Sequence, residues 1–490
     1  MVFVETNSSR QGFAQFRLAA GAGILHAVRP DPEFIFRQQI RNALLNLCSH
    51  LFVLIYVLIC RPRVRICVPF ACLVLLVSAT VLAQSAPKLV GYFPQWGLYN
   101  QPSYLVRDLV TSGGASLLDQ LNYAQGFVTN GHCSIADPNA DLNTTFTSAQ
   151  SVDGVADNPA RPFRGYLHQL AELKRTHPRL KLLISLEGRA SDFAFDAQPE
   201  HRQAFLDSCV DLFLKGNLAP GIREPGLFDG IDIDWEYPHA EDAANFLALL
   251  TELRQRMNAL RPRLTLSVAV GSSPRMYEGL DMAQVARTVD EIGLMTYDFN
   301  GPWNGQTGFI APLASIIPGQ GGTVQHSVSA YLQAGAPPEK LLVGIPFYGY
   351  GWHLVPDVAN GVEQEGEPIR GDHPYRDIES LAVRSTLYRD PLSKTPWLFD
   401  GDSFWTYDDP TSVRAKASFA RSEHLGGLML WELSEDTPDA SLLHSAHTCL
   451  VHPVIEPKPR AQPVSLAAPN PDTVRCPDFS LELNGHSQAR

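Results

Sequence analysis

The chain has 490 residues, 45% of them hydrophobic, and a formal net charge of −12. That length accommodates one large domain or two to three ordinary ones, and the apolar share is enough to bury a sizeable core. The acidic balance, with no basic stripe in the body of the chain, argues against a nucleic-acid partner.

Residues 1–63 read as an N-terminal extension of unclear status, containing the apolar run Leu51-Phe-Val-Leu-Ile-Tyr-Val-Leu-Ile59. The basic flank Arg61-Pro-Arg-Val-Arg65 then precedes Ile66-Cys-Val-Pro-Phe-Ala-Cys-Leu-Val-Leu-Leu-Val77 and the small-residue end Val81-Leu-Ala83. That layout reads as a secretory signal peptide over 64–83, and cleavage would follow Ala83. The positive-inside rule keeps the arginines cytoplasmic and exports the chain beyond them. Both apolar runs are short for a spanning helix of ~20 residues. For the extension two readings stand: a start placed too far upstream, or a hairpin anchor holding a secreted domain to a membrane. Four cysteines lie in the leader region and four in the exported part: Cys133, Cys209, Cys449 and Cys476. An oxidising compartment would join the latter in two disulfides, with three pairings open. We favour Cys133–Cys209 and Cys449–Cys476.

From residue 87 onward short apolar runs alternate with amphipathic helical ones, the pattern of a parallel α/β architecture. The expected strands are Lys88–Phe93, Gln120–Phe127, Lys181–Leu186, Gly230–Glu236, Leu264–Val270, Glu291–Tyr297, Leu341–Phe347 and Gly427–Trp431. Helices are expected between them, among others at Gly165–Thr176, Pro199–Lys215, Glu241–Leu260 and Thr411–His424. The gap from about 349 to 407 is too long for a structureless loop and reads as a small α+β insertion between strands seven and eight. The catalytic unit would span 84–450. Beyond it, residues 451–490 form a proline-rich, extended tail.

The fourth expected strand carries the most specific signal. In Phe228-Asp-Gly-Ile-Asp-Ile-Asp-Trp-Glu-Tyr-Pro238, the acids Asp232, Asp234 and Glu236 alternate with Ile231, Ile233 and Trp235. Strand side chains alternate faces, so three carboxylates project in a row from one face. A solvated acidic run would not interleave large apolar residues. A calcium loop needs a turn glycine within its ligand series, which a stiff strand lacks. Carboxylates this close cannot all ionise freely, and one still protonated near neutral pH is what general acid cleavage of a glycosidic bond requires.

With Asp229 included, the segment matches the Asp-x-x-Asp-x-Asp-x-Glu signature and resembles glycoside hydrolase family 18, the chitinase family. The resemblance covers about residues 87–440. It implies a (β/α)8 barrel, a TIM barrel, with the acidic row on strand four. It also implies retaining cleavage of β-1,4-linked N-acetylglucosamine with the substrate's own N-acetyl group as nucleophile. Under it, Glu236 is the general acid and later activates water. Asp234 orients the acetamido group, Asp232 shares a proton with Asp234, and Asp229 is structural. Tyr297 in Met295-Thr-Tyr-Asp-Phe299 would hydrogen-bond the acetamido oxygen, and Asp298 and Met295 would contact the sugar. Trp431 would lie under the cleaved sugar, its indole against the pyranose face. Tyr92 and Ser185 match positions that brace the innermost aspartate. Trp96, Trp303 and Trp352 are expected as stacking platforms along a groove.

Each match has a plainer reading: Tyr-Asp at a strand end is often a core phenol with a capping acid, and a lone Trp is usually core. The acidic row beside them favours the functional one. The chain departs from the family where Ser185-Leu-Glu-Gly188 replaces Ser-x-Gly-Gly, where Arg189 stands in place of a common tryptophan, and at Gln125. No metal or organic cofactor is implied; His444 and His447 lack a third ligand. The expected partner is chitin or chitooligosaccharides, taken by a monomer. The rivals are an endo-β-N-acetylglucosaminidase acting on N-glycans and a non-catalytic chitin-binding lectin.

Overall fold

The computed structural model describes residues 86–451, except 274–275, 277–278 and 316–321. Eight parallel strands close a barrel: β1 (Lys88–Pro94), β2 (Gln120–Thr129), β3 (Lys181–Glu187), β4 (Gly230–Asp234), β5 (Thr265–Gly271), β6 (Glu291–Met295), β7 (Leu341–Pro346) and β8 (Gly427–Trp431). Each pairs with its neighbours in chain order, and β1 closes the ring with both β2 and β8. The architecture is the (β/α)8 barrel. These strands read as near-continuous apolar runs because both faces are covered, the outer by helices and the inner by the barrel interior. Thus β5, β6 and β7 are buried along their whole length.

The helices follow from apolar periodicity. In Ala243–Leu260 the buried residues Phe246, Leu249, Leu250, Leu253 and Met257 recur at helical spacing and form one face. The helix ends as Arg261 turns extended (φ −151°) ahead of Pro262, which disfavours a helical predecessor. It starts two residues later than expected, because Ala240–Asp242 is a tighter turn in which the Asp242 carboxylate accepts the His239 N–H at 3.0 Å. The expected helix from Pro199 runs to Cys209 and then widens into a π turn over Val210–Leu214. Two expected strands overran at the rim: β4 stops at Asp234 and β6 at Met295, leaving Glu236 and Tyr297 on the loops just beyond. The second strand is longer than expected and turns back in a hairpin with His132–Ile135.

Between β7 and β8 lies an inserted antiparallel sheet. Its central strand Tyr348–His353 pairs with Phe404–Thr406, followed outward by Pro396–Phe399 and Thr386–Arg389, with a helix at Tyr375–Ser380. One apolar cluster joins the upper barrel interior (Val90, Tyr92, Met295, Met429) to the insertion (Tyr348, Tyr350, Trp352, Phe404). The insertion is therefore packed directly on the barrel's open end.

Cys133 and Cys209 form a disulfide that ties the hairpin to the Pro199–Cys209 helix. Cys449 is also disulfide-bonded; its expected partner, Cys476, lies outside the described residues. So do the extension, the leader and most of the tail. Among the described residues no helix is long and apolar enough to cross a membrane; the anchor reading falls on residues outside that set.

Candidate active site

The site begins with Asp232, which is 1% exposed inside the barrel. Strand register places Ser185 of β3 on one side of it and Ser267 of β5 on the other. Both hydroxyls donate to it, Ser185 Oγ to Oδ2 at 2.9 Å and Ser267 Oγ to Oδ1 at 2.5 Å. From β1 the Tyr92 hydroxyl donates to Oδ2 at 2.8 Å. Burial raises the Asp232 pKa, and the three donors pull against that rise. Three charge-assisted hydrogen bonds favour the ionised form and hold the side chain still.

Asp234 is the next acid on the same face. It is buried, and its Oδ1 has no hydrogen-bond partner. Burial pushes its pKa well above the usual carboxylate range, and the charges of Glu236, Asp232 and Glu187 push the same way. Asp234 therefore holds the proton more readily than Asp232, whose charge is satisfied by hydroxyls. The Asp232 charge acts on Asp234 electrostatically and favours the proton there. Glu236, just past the strand, is exposed to the cleft. Its pKa is also raised, by lost hydration first and by Asp298, while the Tyr237 phenol pulls it down.

Tyr92, Asp234, Glu236 and Tyr237 line one cavity of ≈ 220 Å³ at the C-terminal end of the barrel. Its wall also includes Met295, Tyr297, Asp298, Tyr348, Met429 and Trp431. Tyr297 is buried, and burial raises its phenol pKa further above neutrality, so it acts as a donor. Gly344 on β7 makes room for it: an added Cβ would fall 2.9 Å from Tyr297 Cε1 and 2.3 Å from Leu294 O. Asp298 Oδ1 accepts the Tyr348 hydroxyl at 2.7 Å and the Tyr350 hydroxyl at 3.1 Å, which anchors the insertion to the site. Trp431 ends β8 with its ring 5.3 Å from Tyr92 and 6.1 Å from Trp96 between centroids.

The structure thus brings Tyr92, Ser185, Asp232, Asp234, Glu236, Met295, Tyr297, Asp298 and Trp431 together, with Trp96 against Trp431 at the rim. Asp229 is apart from them, at the opposite end of β4. It accepts the Leu182 N–H at 3.0 Å and pairs with Lys174 at 2.6 Å. Trp303 is 60% exposed and rests edge-on against Tyr350, outside the cavity wall. Trp352 corrects an expectation. It is fully buried, packed edge-on against Phe404, with its indole N–H directed at Asn304 O at 3.4 Å, so it cannot stack on a ligand. It shares the inner face of its strand with Tyr348 and Tyr350 but lies further along, where the insertion has its own core.

Sequence reasoning missed Ser267, Tyr237, Tyr348, Tyr350 and Met429. A lone serine in the apolar run of β5, level with Asp232, was the available signal for the first. Tyr348-x-Tyr350 alternation was the signal for the phenols that hold Asp298. Among the described residues no group of His, Cys, Asp and Glu is placed to hold a metal ion. His444 Nε2 instead lies 3.1 Å from Ser112 O.

The chemistry available is a proton donor open to a cleft, a buried acid with an unused oxygen beneath it, and a phenol and an indole on the flanks. Residues 88–436 match the family described as glycosyl hydrolases family 18. Chitinase C of Streptomyces lividans is 35% identical over 362 residues, covering 71% of this chain and 57% of that protein. Chitinase 63 of Streptomyces plicatus is 34% identical over 368 residues, covering 72% and 59%. The chain thus spans less than two thirds of the length of these relatives. The catalytic domain of a psychrophilic chitinase B from Arthrobacter TAD20 superposes with a TM-score of 0.67 at 29% identity, over 76% of this chain and 98% of that one. The chain is a member of the glycosyl hydrolases family 18.

Proposed function

We propose that this protein is a secreted chitinase that hydrolyses β-1,4 bonds between N-acetylglucosamine units with retention. The observation that carries the reading is the unpartnered, buried Oδ1 of Asp234 directly beneath a solvent-open Glu236. An orphaned buried carboxyl oxygen is costly unless a ligand group satisfies it. The N–H of a sugar acetamido group fits that need.

The proposed reaction has two steps. Glu236 gives its proton to the glycosidic oxygen as the acetamido oxygen attacks C1 and the C1–oxygen bond breaks. Asp234 accepts the N–H of the resulting oxazolinium ion, and the Tyr297 hydroxyl donates to its oxygen. With the leaving sugar gone, Glu236, now ionised, takes a proton from water as that water attacks C1 and reopens the ring. Two inversions at C1 give net retention. Asp232, held still by three hydroxyls, backs Asp234 and favours the cation formed above it. Asp298 and Trp431 would hold the sugar from the side and from below, and Trp96 would extend that surface.

Export is inferred from the leader at 64–83, with the catalytic unit over 84–450. The test is purified protein with chitin oligosaccharides and, separately, a high-mannose glycoprotein. Cleavage of the oligosaccharides alone supports the proposal. Glycan release from the glycoprotein would support the endo-β-N-acetylglucosaminidase reading, and binding with no turnover the lectin.

A further inference from the structure

One carboxylate at the barrel mouth has no part in the proposed reaction. Glu187 ends β3, where Phe127 of β2 is its register partner on one side. On the other side Ser185 is paired with Asp232 and Leu186 with Ile233. The Ser185 hydroxyl points into the barrel, since it bonds Asp232 there. Alternation therefore turns Glu187 to the same inner face, level with Asp234 and close to Glu236, on a strand ~4.8 Å away. Glu187 is half-buried.

Of the titratable groups at the barrel mouth, Glu236 and Asp234 bear on Glu187, and those around them are acids and phenols. Strand β4 and the turn after it bring Asp234, Glu236, Tyr237 and, deeper, Asp232. The loop after β6 brings Tyr297 and Asp298, which bears on Glu236. Strand β2 brings the uncharged Phe127 and Gln125. The nearby cation on its own segment, Arg189, is forked by Asp192 at 2.9 and 3.0 Å and so is already neutralised. Glu187 is thus a further negative charge crowded against the proton donor, with no free cation beside it among the described residues.

We propose that Glu187 is a positioning residue for the catalytic proton. Crowded against Glu236, it prevents the barrel-mouth acids from all ionising together, so a proton remains available to the leaving group at higher pH. This rests on the glycosidase reading. Burial and the Glu236 charge raise Glu187, and Glu187 in turn adds to the rise of Asp234; Glu236 itself is raised by lost hydration and Asp298. Because the acids interact, their protons come off in steps that belong to the set.

The test is the pH dependence of kcat/KM on a chitotriose-type chromogenic substrate for the wild type, Glu187→Gln and Glu187→Asp. Removing one charge at this range should move the alkaline limb of Glu187→Gln toward acid by ~0.5–1 pH unit. The aspartate keeps the charge, so its limb should return at least halfway to the wild-type position. A glutamine variant whose limb coincides with the wild type, with only the height of the profile changed, assigns Glu187 to packing and overturns the inference. So does an aspartate variant shifted as far as the glutamine one. Wild-type protein with no turnover at any pH overturns the glycosidase reading instead, and this inference with it.

Discussion

Replacing Glu236 by glutamine exchanges a proton donor for an amide of almost the same shape. Asp234, Asp298 and Tyr297 offer no substitute donor. Asp234 lies one step deeper and is buried, Asp298 Oδ1 is occupied by two phenols, and the Tyr297 phenol is held well above neutrality. General acid–base catalysis contributes typically 10²–10⁴-fold, or about 3–5 kcal/mol of barrier. Glu236 serves both steps of the proposed cycle, so the upper part of that range applies: kcat should fall by roughly 10³-fold or more. Its side chain is open to the cleft, so the melting temperature should barely move, as for most exposed substitutions. Steady-state kinetics on a chitotriose chromogenic substrate measure the first effect, and calorimetric titration with chitotetraose measures binding, which should stay within a few-fold. A kcat within tenfold of wild type would refute the assignment. So would binding lost in step with turnover, since that is the mark of a group that holds the substrate equally in ground and transition states.

Tyr297→Phe removes one hydroxyl proposed to bond the charged oxazolinium, and should cost kcat/KM about 10–100-fold, in line with ~1.5–3 kcal/mol for a hydrogen bond to a charged group; a loss as large as that of Glu236→Gln would contradict its secondary role. Asp141 is buried, and burial pushes its pKa up to about 7 against the donors Tyr123 and Gln95. The native state then keeps a proton that the unfolded chain releases near pH ~4, so this stabilisation is full below ~4 and lost as pH rises through about 7. Urea midpoints should fall across that window, and Asp141→Asn should flatten the fall; an unchanged slope would contradict it. The Cys133–Cys209 bridge closes a loop with a sequence separation of 76. In the chain-entropy picture it contributes roughly 4 kcal/mol, and at the usual unfolding entropy Cys209→Ala should lower Tm by about 5 °C. A melting point that does not move would show that the unfolded chain is already constrained there.

The barrel was legible because its strands are covered on both sides. Runs such as Leu341-Leu-Val-Gly-Ile-Pro346 are apolar throughout, and between them helices such as Ala243–Leu260 show their buried face at every third or fourth residue. Strand ends were less legible: Glu236 and Tyr297 continue the alternation of β4 and β6 in sequence, but the backbone leaves the ladder two residues earlier. Alternation alone cannot show where pairing stops. The acidic row announced itself because three carboxylates among isoleucines have no plain structural use. Its supports did not. Ser267 and Tyr350 act only through register and tertiary packing, which a single strand's sequence does not encode. Trp352 was misread for the opposite reason. An aromatic near a groove is a natural platform, but the insertion is large enough to need a core, and Trp352 fills it. Glu187 stood out as a charge at a glycine position, yet its direction became known only from the pairing of β3 with β4.

The proposed chemistry turns on a sugar's own acetamido oxygen attacking from below while Glu236 protonates from above. Proton NMR of the first products released from chitohexaose by the purified protein tests this directly. A β-anomer at the new reducing end, mutarotating only afterwards, is the predicted result. An initial α-anomer, or no cleavage at all, would contradict it.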